Sequence, residues 1–454
     1  IPLLELKDVA KEAEKVVFTQ ETIEEIPVFF RPMDTNGIVY FRWLFDTDDV
    51  SEEELTHLGI AADLMTKLDT AKYTMSDLAA KKDRLFGAFY ASNSFYGKDK
   101  AHAKSFFTLH GSFLNSKMQE ALALMAECLN HTDFKQENHG KQILQANRIQ
   151  MENFLLNSGH LTAINQSLEA ISAENWGIEK TKGVDYLHFL QKTLEQEKLQ
   201  SILKIAENIL KRVAVLSRLQ LAVCCSEKEM NQLKDLLPEF LKMVQKGAKV
   251  GEKRAFHPQL GMKKAIKVAG KVLYNAEAFG FDAEKFPYSG KMCVLRNVLN
   301  QEYLWNKIRV QGGAYGCGCQ FNRLNQGYFY SYRDPNLQKT YDIYKNAGNF
   351  LDKFSADQRE MTKFILGAVN QKDRPKHFSE RLEEMLYHHW KGITNEMIQQ
   401  ERNEIIETTC TDIQQYGQLF HQLSEQDLSK CSVGSSVEIQ KQKNYFDEMS
   451  TLMQ

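Results

Sequence analysis

The segment Asn300–Gly318 (NQEYLWNKIRVQGGAYGCG) combines residue types that can bind and polarise a peptide carbonyl. Arg309 offers a planar fork of donors with a permanent charge, and Tyr315 offers a hydroxyl donor at neutral pH. Between them lie Gly312 and Gly313, whose missing side chains let another backbone approach closely. Such a set could hold a carbonyl oxygen and stabilise the oxyanion that forms when the carbonyl is attacked.

The surrounding residues predict how this set is presented. Apolar residues mark one side of a helix that ends at the glycine pair: Tyr303, Leu304 and Ile308. The chain then resumes as a strand, so Arg309 and Tyr315 flank the break. On these residues alone a purely structural interpretation stays open. Gly-Gly is a common helix stop, and a nearby arginine and tyrosine often form only a salt bridge and a half-buried ring.

No pattern of metal ligands accompanies this segment. The nearest approach to a zinc motif is His377-Phe-Ser-Glu380-Arg381, where a guanidinium, which cannot bind zinc, replaces the second histidine. His388 and His389 are adjacent on a predicted helix and so point in different directions. Cys317 and Cys319 share one face of a strand, but no second pair lies nearby to complete four ligands. We therefore expect no metal site in this chain.

The elements that must position the candidate site are predicted from periodicity and turn residues. Helical spacing covers Gln142–Ser172 and Asn395–Gln422. Strands are predicted at Gly37–Asp46, Phe86–Tyr96 and Ala103–His110, the last two as antiparallel neighbours. A hairpin, Gln320–Arg333, follows the candidate site and is predicted to turn at Asn325-Gln326-Gly327. The next residues, Arg333-Asp334-Pro335-Asn336, are interpreted as a turn into a helix, with Asp334 or Asn336 as its cap.

An internal echo predicts two similar halves. Arg218–Gln245 and Leu428–Met453 each read as a short apolar strand, a serine turn and an amphipathic helix. Between them, Lys246–Gln259 (KGAKVGEKRAFHPQ) is basic and weakly periodic, as linkers are. We therefore predict an α+β fold of two domains, residues 1–247 and 248–454, each an antiparallel sheet packed with helices.

The composition is that of a globular chain of 454 residues. Hydrophobic residues make up 43% and aromatic residues 11%, which excludes global disorder. The 57 basic and 59 acidic residues give a formal charge of −2, so we expect no nucleic acid partner. No apolar run approaches the ~20 residues of a membrane-spanning helix, so we expect no membrane partner. The eight cysteines are scattered, which favours buried, reduced thiols.

The sequence LWNKIRVQGGAYG, followed by GYFYSYRDPN, resembles the fourth domain of presequence proteases, a branch of the pitrilysin/insulinase superfamily of inverted-motif zinc peptidases. Four further segments resemble the family in the same order: Ile1–Val9, Arg148–His160, Tyr186–Leu194 and Ile393–Thr409. The resemblance covers nearly the whole chain. It implies a carboxy-terminal half, with two of the four similar α/β domains that form a clamshell around a closed chamber.

The resemblance implies that Arg309 and Tyr315 are catalytic and reach across the chamber to the substrate carbonyl at the zinc. It implies a substrate-binding backbone at Gly312, Gly313 and Ala314. Zinc would be a cofactor of the complete enzyme only, bound by a His-x-x-Glu-His motif and a distal Glu on the amino-terminal half, which is the implied partner. In the first domain here, the family's ligand positions hold Ala61, Ala62 and Met65, so this copy is expected to be catalytically silent.

The activity implied for the complete protein is metalloendopeptidase cleavage of unfolded peptides, with this half inactive alone. The implied compartment is a reducing one, the bacterial cytoplasm or an organelle matrix. His160, in Ser158-Gly159-His160, matches a family motif and is interpreted as a hydrogen-bonded structural histidine. The alternative function is that of a zinc-free partner or scaffold subunit of the same superfamily, for which the retained Arg309 and Tyr315 have no evident use.

Overall fold

Two six-stranded sheets organise the fold, which a computed structural model describes for residues 4–196 and 198–453. The first sheet contains β1 (Thr19–Ile23), β2 (Ile26–Pro32), β3 (Ile38–Asp46), β4 (Phe86–Gly97), β5 (Ala103–Leu114) and β6 (Leu219–Cys225). The second contains β7 (Lys263–Val268), β8 (Leu273–Gly280), β9 (Gly316–Asn322), β10 (Gln326–Tyr332), β11 (Ser429–Ser435) and β12 (Glu448–Thr451).

The two sheets share one strand order. It is β1-β2-β6-β3-β5-β4 in the first sheet and β12-β7-β11-β8-β10-β9 in the second. Strands β2 to β6 therefore correspond to β7 to β11. The outer strand differs, because β1 pairs antiparallel with β2 at the start of the chain, whereas β12 pairs parallel with β7 at its end. The shared order is what an internal repeat predicts.

The α+β architecture is as expected, but both sheets are mixed rather than purely antiparallel. Strand β6 lies parallel to β2 and antiparallel to β3, and β11 lies parallel to β7 and antiparallel to β8. This follows from the connection, since the last strand of each unit returns through helices and inserts between the first two. The predicted neighbours β4 and β5 do pair antiparallel.

Helices cover both sheets. In the first part of the chain they are α1 (Glu52–Leu64), α2 (Met75–Leu85), α3 (Met118–His131), α4 (Glu137–Asn157), α5 (Gly159–Leu168), α6 (Ala173–Lys182), α7 (Val184–Glu195), α8 (Leu199–Val213) and α9 (Glu227–Leu241). The region predicted as one long helix, 142–172, is therefore interrupted at Ser158 between α4 and α5. Among the helices of the described residues, none combines the length and apolarity needed to cross a membrane.

In the second part the helices are α10 (Lys291–Val298), a π-helix (Leu299–Val310), α11 (Gln338–Lys345), α12 (Ala347–Leu351), α13 (Gln358–Lys372), α14 (Phe378–Lys391), α15 (Asn395–Ile406), α16 (Cys410–Gln415), α17 (Gly417–Ser424) and α18 (Ser436–Lys441). The predicted helix 395–422 is thus three helices, α15 to α17. The echo holds for β6 and β11, which lead into helices capped by Ser226 and Ser435. Helix α18 is shorter than predicted, because the chain turns into β12.

Each half contributes one helix to the sheet of the other half. Helix α14 packs Leu382 and Met385 against Phe29 and Phe106 of the first sheet. Helix α5 packs on β8, β10 and β11 of the second sheet, where Ile164 joins a buried cluster with the sheet's apolar residues. The division at residues 247 and 248 stays a prediction: each sheet lies on one side of it, and α5 and α14 cross it.

Candidate functional site

The helix that carries Arg309 is a π-helix over Leu299–Val310. Its buried residues recur at intervals of four and five, namely Leu299, Tyr303, Leu304 and Ile308. The wider turn continues to its end, where the Gln311 amide donates to the Asn306 carbonyl oxygen over 3.0 Å. An ordinary helix was predicted here. Long π-helices are rare, and π-turns are frequent at functional sites.

The glycine pair ends this helix in a close turn. The amides of Gly313 and Ala314 donate back to the carbonyl oxygens of Arg309 and Ile308, at 3.0 and 3.1 Å. Gly313 has a φ of +84°, a left-handed conformation that favours glycine. A Cβ on Gly312 would lie 2.4 Å from the Ile308 oxygen. The helix-stop interpretation is thus right for the glycines, and the amides of residues 313 and 314 are already used within the protein.

A second segment, Tyr332–Asn336, clamps this turn from outside. The Asn336 side-chain amide donates to the Gly312 carbonyl oxygen over 2.7 Å, and the Tyr315 amide donates to the Tyr332 carbonyl oxygen over 3.0 Å. Asp334 is fully buried and accepts the Asn336 backbone amide over 2.9 Å. The predicted helix cap is absent, since α11 begins without a side-chain cap. The Asp-Pro-Asn segment instead fixes the path of Gly312–Tyr315, a role that the sequence interpretation missed.

Arg309 and Tyr315 are neighbours at the surface. The guanidinium carbon of Arg309 lies 3.9 Å from the Trp305 ring centroid and 5.8 Å from the Tyr315 ring centroid. Tyr315 is 66% exposed. Within residues 4–196 and 198–453 no carboxylate pairs with Arg309, so the salt-bridge interpretation of this arginine finds no support. Its charge and the adjacent phenol are open to a ligand.

The adjacent cysteines do not add reactive groups. Burial raises the pKa of Cys317 to about 12, although the Arg309 charge opposes the shift. Burial also raises the pKa of Cys319. Both thiols therefore stay protonated at neutral pH, which suits neither a nucleophile nor a metal ligand.

The best-enclosed cavity lies elsewhere. It has a volume of about 330 Å³ between α10, α14, α15 and the segment around Ala13. Its charged groups are paired within the protein, as in the contacts of Glu401 with Arg323 and Lys372. Among the described residues, this cavity does not include Arg309 or Tyr315, which lie on an open surface.

The histidine motifs have structural roles. His377 is the N-cap of α14, and Glu380 accepts its backbone amide over 2.9 Å in a capping box. His389 packs on the Phe29 ring, with the centroids 4.4 Å apart, whereas His388 lines the cavity. Both residues of the zinc-like motif are therefore explained by helix capping.

One group of possible ligands does occur in the described part of the chain: Glu169, Glu179 and Asp185. Lys264 pairs with Glu169, Lys180 pairs with Asp185 over 2.6 Å, and Glu179 accepts amide donors from α5 and α7. Burial and the neighbouring Glu179 raise the pKa of Glu169 to about 8. Three carboxylates already held by cations and amides, without histidine or cysteine, do not fit a catalytic zinc.

The helix expected to be silent is also accounted for. Ala61 and Met65 of the α1 region are fully buried in the first core, and Ala62 packs against it. These positions therefore serve packing.

Comparison with known proteins gives two family matches. Residues 1–193 match the model of the associated domain of M16 peptidases of subfamily C, and residues 279–436 match the "PreP C-terminal domain". Protein HypA of Clostridium perfringens is 28% identical over the whole chain, which covers 47% of it. Presequence protease 1, chloroplastic/mitochondrial, of Arabidopsis thaliana is 26% identical over the whole chain, which covers 42% of it. The chain thus spans about half the length of these relatives.

Solved structures share the fold. A conserved protein from Enterococcus faecalis superimposes with a TM-score of 0.66 at 12% identity, covering 92% of this chain and 99% of that one. A peptidase M16 inactive domain from Pseudomonas fluorescens gives 0.60 at 12% identity, covering 92% and 98%. The fold is that of an M16 peptidase half. With the two family models and the curated relatives, the class narrows: the chain belongs to the presequence protease family and corresponds to its carboxy-terminal half.

Proposed function

We propose that this chain is the carboxy-terminal half of a zinc metalloendopeptidase and supplies Arg309 and Tyr315 to the active site. The observation that supports this most is the surface pair itself. A permanent charge without a carboxylate partner among the described residues lies beside an exposed phenol, and both extend from a turn clamped by Asn336. A scaffold has no evident need for such an arrangement.

The two side chains would act on one carbonyl of the bound peptide. Arg309 would orient the oxygen through its guanidinium donors and balance the charge that develops there. The Tyr315 hydroxyl would donate a hydrogen bond to the same oxygen as it becomes an oxyanion. Because the amides of residues 313 to 315 are used within the protein, Gly312–Ala314 would give the peptide space rather than amide donors. Zinc bound by the amino-terminal half would supply the activated water.

The partner and substrates follow from the same proposal. The amino-terminal half, with a His-x-x-Glu-His motif, would close over this half and form a chamber. An enclosed chamber admits flexible, unfolded peptides and excludes folded proteins. All eight cysteines are free, which favours a reducing compartment such as the bacterial cytoplasm or an organelle matrix. The alternative is a zinc-free scaffold that binds a partner without taking part in cleavage.

Reconstitution separates the two. The chain is purified alone and together with an amino-terminal half that carries the zinc motif, and cleavage of an unstructured peptide is measured with zinc content. We expect the pair to cleave the peptide with one zinc per complex, and the chain alone to hold no stoichiometric zinc and cleave nothing. A pair whose activity is indifferent to Arg309→Ala and Tyr315→Phe would favour the scaffold.

A further inference from the structure

Three tyrosines line one face of β10. Tyr328, Tyr330 and Tyr332 alternate with Phe329 and Ser331, which point into the core on the other face. On the paired strand β9, the residues opposite Tyr332 and Tyr330 are glycines, at positions 316 and 318. A Cβ at position 318 would lie 2.8 Å from the Tyr330 ring, so the missing side chain makes room for it. The rings therefore lie against the sheet beside the candidate site.

Tyr332 connects this face to Tyr315. Their ring centroids are 5.8 Å apart in an edge-to-face arrangement, and the Tyr332 carbonyl oxygen accepts the Tyr315 amide. Tyr332 is itself held by two further rings, with centroid distances of 4.9 Å to His160 and 5.4 Å to Tyr274. Tyr315 is otherwise exposed, so Tyr332 is the ring that restricts its direction within the described residues.

His160 reaches this cluster from the other half of the chain. It is the second residue of α5, the helix that packs on the second sheet. Gly159 permits this approach, because a Cβ there would lie 2.4 Å from the Tyr274 ring. Nδ1 of His160 is buried and has no hydrogen-bond partner in the described part of the chain. The expected hydrogen-bonded role is therefore not what holds this residue; its ring contacts are.

We propose that Tyr332 and His160 are positioning residues that direct the Tyr315 hydroxyl toward the substrate carbonyl. The inference rests on the proposed function of Tyr315. An exposed tyrosine samples several rotamers, whereas a ring packed edge-on against Tyr332 is confined to few. His160 supports Tyr332 from behind, and in doing so ties the geometry of the second half's active side chain to a helix from the first half.

A double-mutant cycle in the complete enzyme tests this. Tyr332→Leu and His160→Ala are expected to lower kcat by about fivefold to tenfold with KM nearly unchanged. His160→Phe, which keeps a ring against Tyr332, is expected to restore most of that loss. In a Tyr315→Phe background the same substitutions should have little further effect, because the hydroxyl that they direct is gone. Tyr328→Leu, on the same strand face but beyond Tyr330, is the matched control.

Two results would overturn the inference. Equal losses in the wild-type and Tyr315→Phe backgrounds would mean that the rings act by stabilising the fold. A raised KM with unchanged kcat would mean that they contact substrate directly. Because His160 is only half-buried, His160→Ala keeps the test available even where Tyr332→Leu does not fold. A failure of the proposed function is distinguishable, since Tyr315→Phe alone would then have wild-type kcat.

Discussion

Arg309 lies flat against Trp305, with its guanidinium carbon 3.9 Å from the ring centroid. A neutral aromatic face thus holds the arginine where a carboxylate would otherwise be expected. Such a contact restricts the side chain without neutralising it. The positive charge is therefore kept in place and left for a bound carbonyl.

Trp305→Leu should lower kcat/KM about fivefold in the complete enzyme, because a cation–π contact at an exposed site contributes about 1 kcal/mol. Steady-state kinetics on a flexible peptide measure this. Tyr387→Leu is the control, since Tyr387 holds Lys391 in the same type of contact at 4.2 Å, away from the site. Equal effects of the two substitutions would contradict a specific role for Trp305.

Asn336→Ala removes the 2.7 Å hydrogen bond to the Gly312 carbonyl oxygen. We expect a loss of about 1 kcal/mol in unfolding free energy, together with a larger fall in kcat, because the turn that carries Tyr315 loosens. Denaturant unfolding and kinetics are run on the same samples. Asn349→Ala, which removes an exposed hydrogen bond to Asn346, is the control. A fall in stability without any change in kcat would show that the clamp does not position the site.

Gly312→Ala places a Cβ 2.4 Å from the Ile308 carbonyl oxygen, a backbone atom that cannot move independently. We expect a loss of about 1–3 kcal/mol in unfolding free energy, as for other forced close contacts. Gly270→Ala is the matched control, because a Cβ there meets nothing within 4 Å. Thermal unfolding of both variants compares them. Similar melting temperatures would show that the turn relaxes easily.

His388 predicts a pH dependence of stability. Burial lowers the pKa of its imidazole to about 4, and its Nδ1 has no hydrogen-bond partner among the described residues. The unfolded chain takes up this proton below about pH 6.5, whereas the folded chain does so only near pH 4. The contribution is therefore present above pH 6.5 and is lost as the pH falls toward 4.

Denaturant unfolding at pH 7 and pH 5 measures this contribution. His388→Gln should lose less stability between the two pH values than the wild type does. His139→Gln, at a solvent-exposed position, should behave as the wild type. A wild-type pH dependence in His388→Gln would assign the loss to other groups.

The sequence predicted the repeat and the site segment because both depend on local patterns. The strand–serine–helix echo led to the two related sheets, and the glycine pair led to the turn that separates Arg309 from Tyr315. The π-helix was missed because its apolar residues, at 299, 303, 304 and 308, also fit an ordinary helix of 3.6 residues per turn. Backbone hydrogen bonds, which a sequence does not display, decide between the two.

Long-range contacts explain the remaining differences. The exchange of α5 and α14 between the halves depends on packing between residues more than 100 positions apart, which periodicity does not reveal. Asp334 looked like a helix cap because capping is its commonest local role. Its buried bonds to Asn336 and to Thr340 instead support a turn that precedes it by some twenty residues.

The central claim is that Tyr315 stabilises the oxyanion of a peptide substrate, and Tyr315→Phe tests it most directly. The substitution removes one hydroxyl donor and leaves the ring against Tyr332. In the complete enzyme we predict that kcat on a flexible peptide falls by ~10²-fold or more, with little change in KM, as for the loss of an oxyanion donor. Zinc content, measured on the same samples, should be unchanged. A kcat near that of the wild type would contradict the account and return the segment to the role of a helix stop.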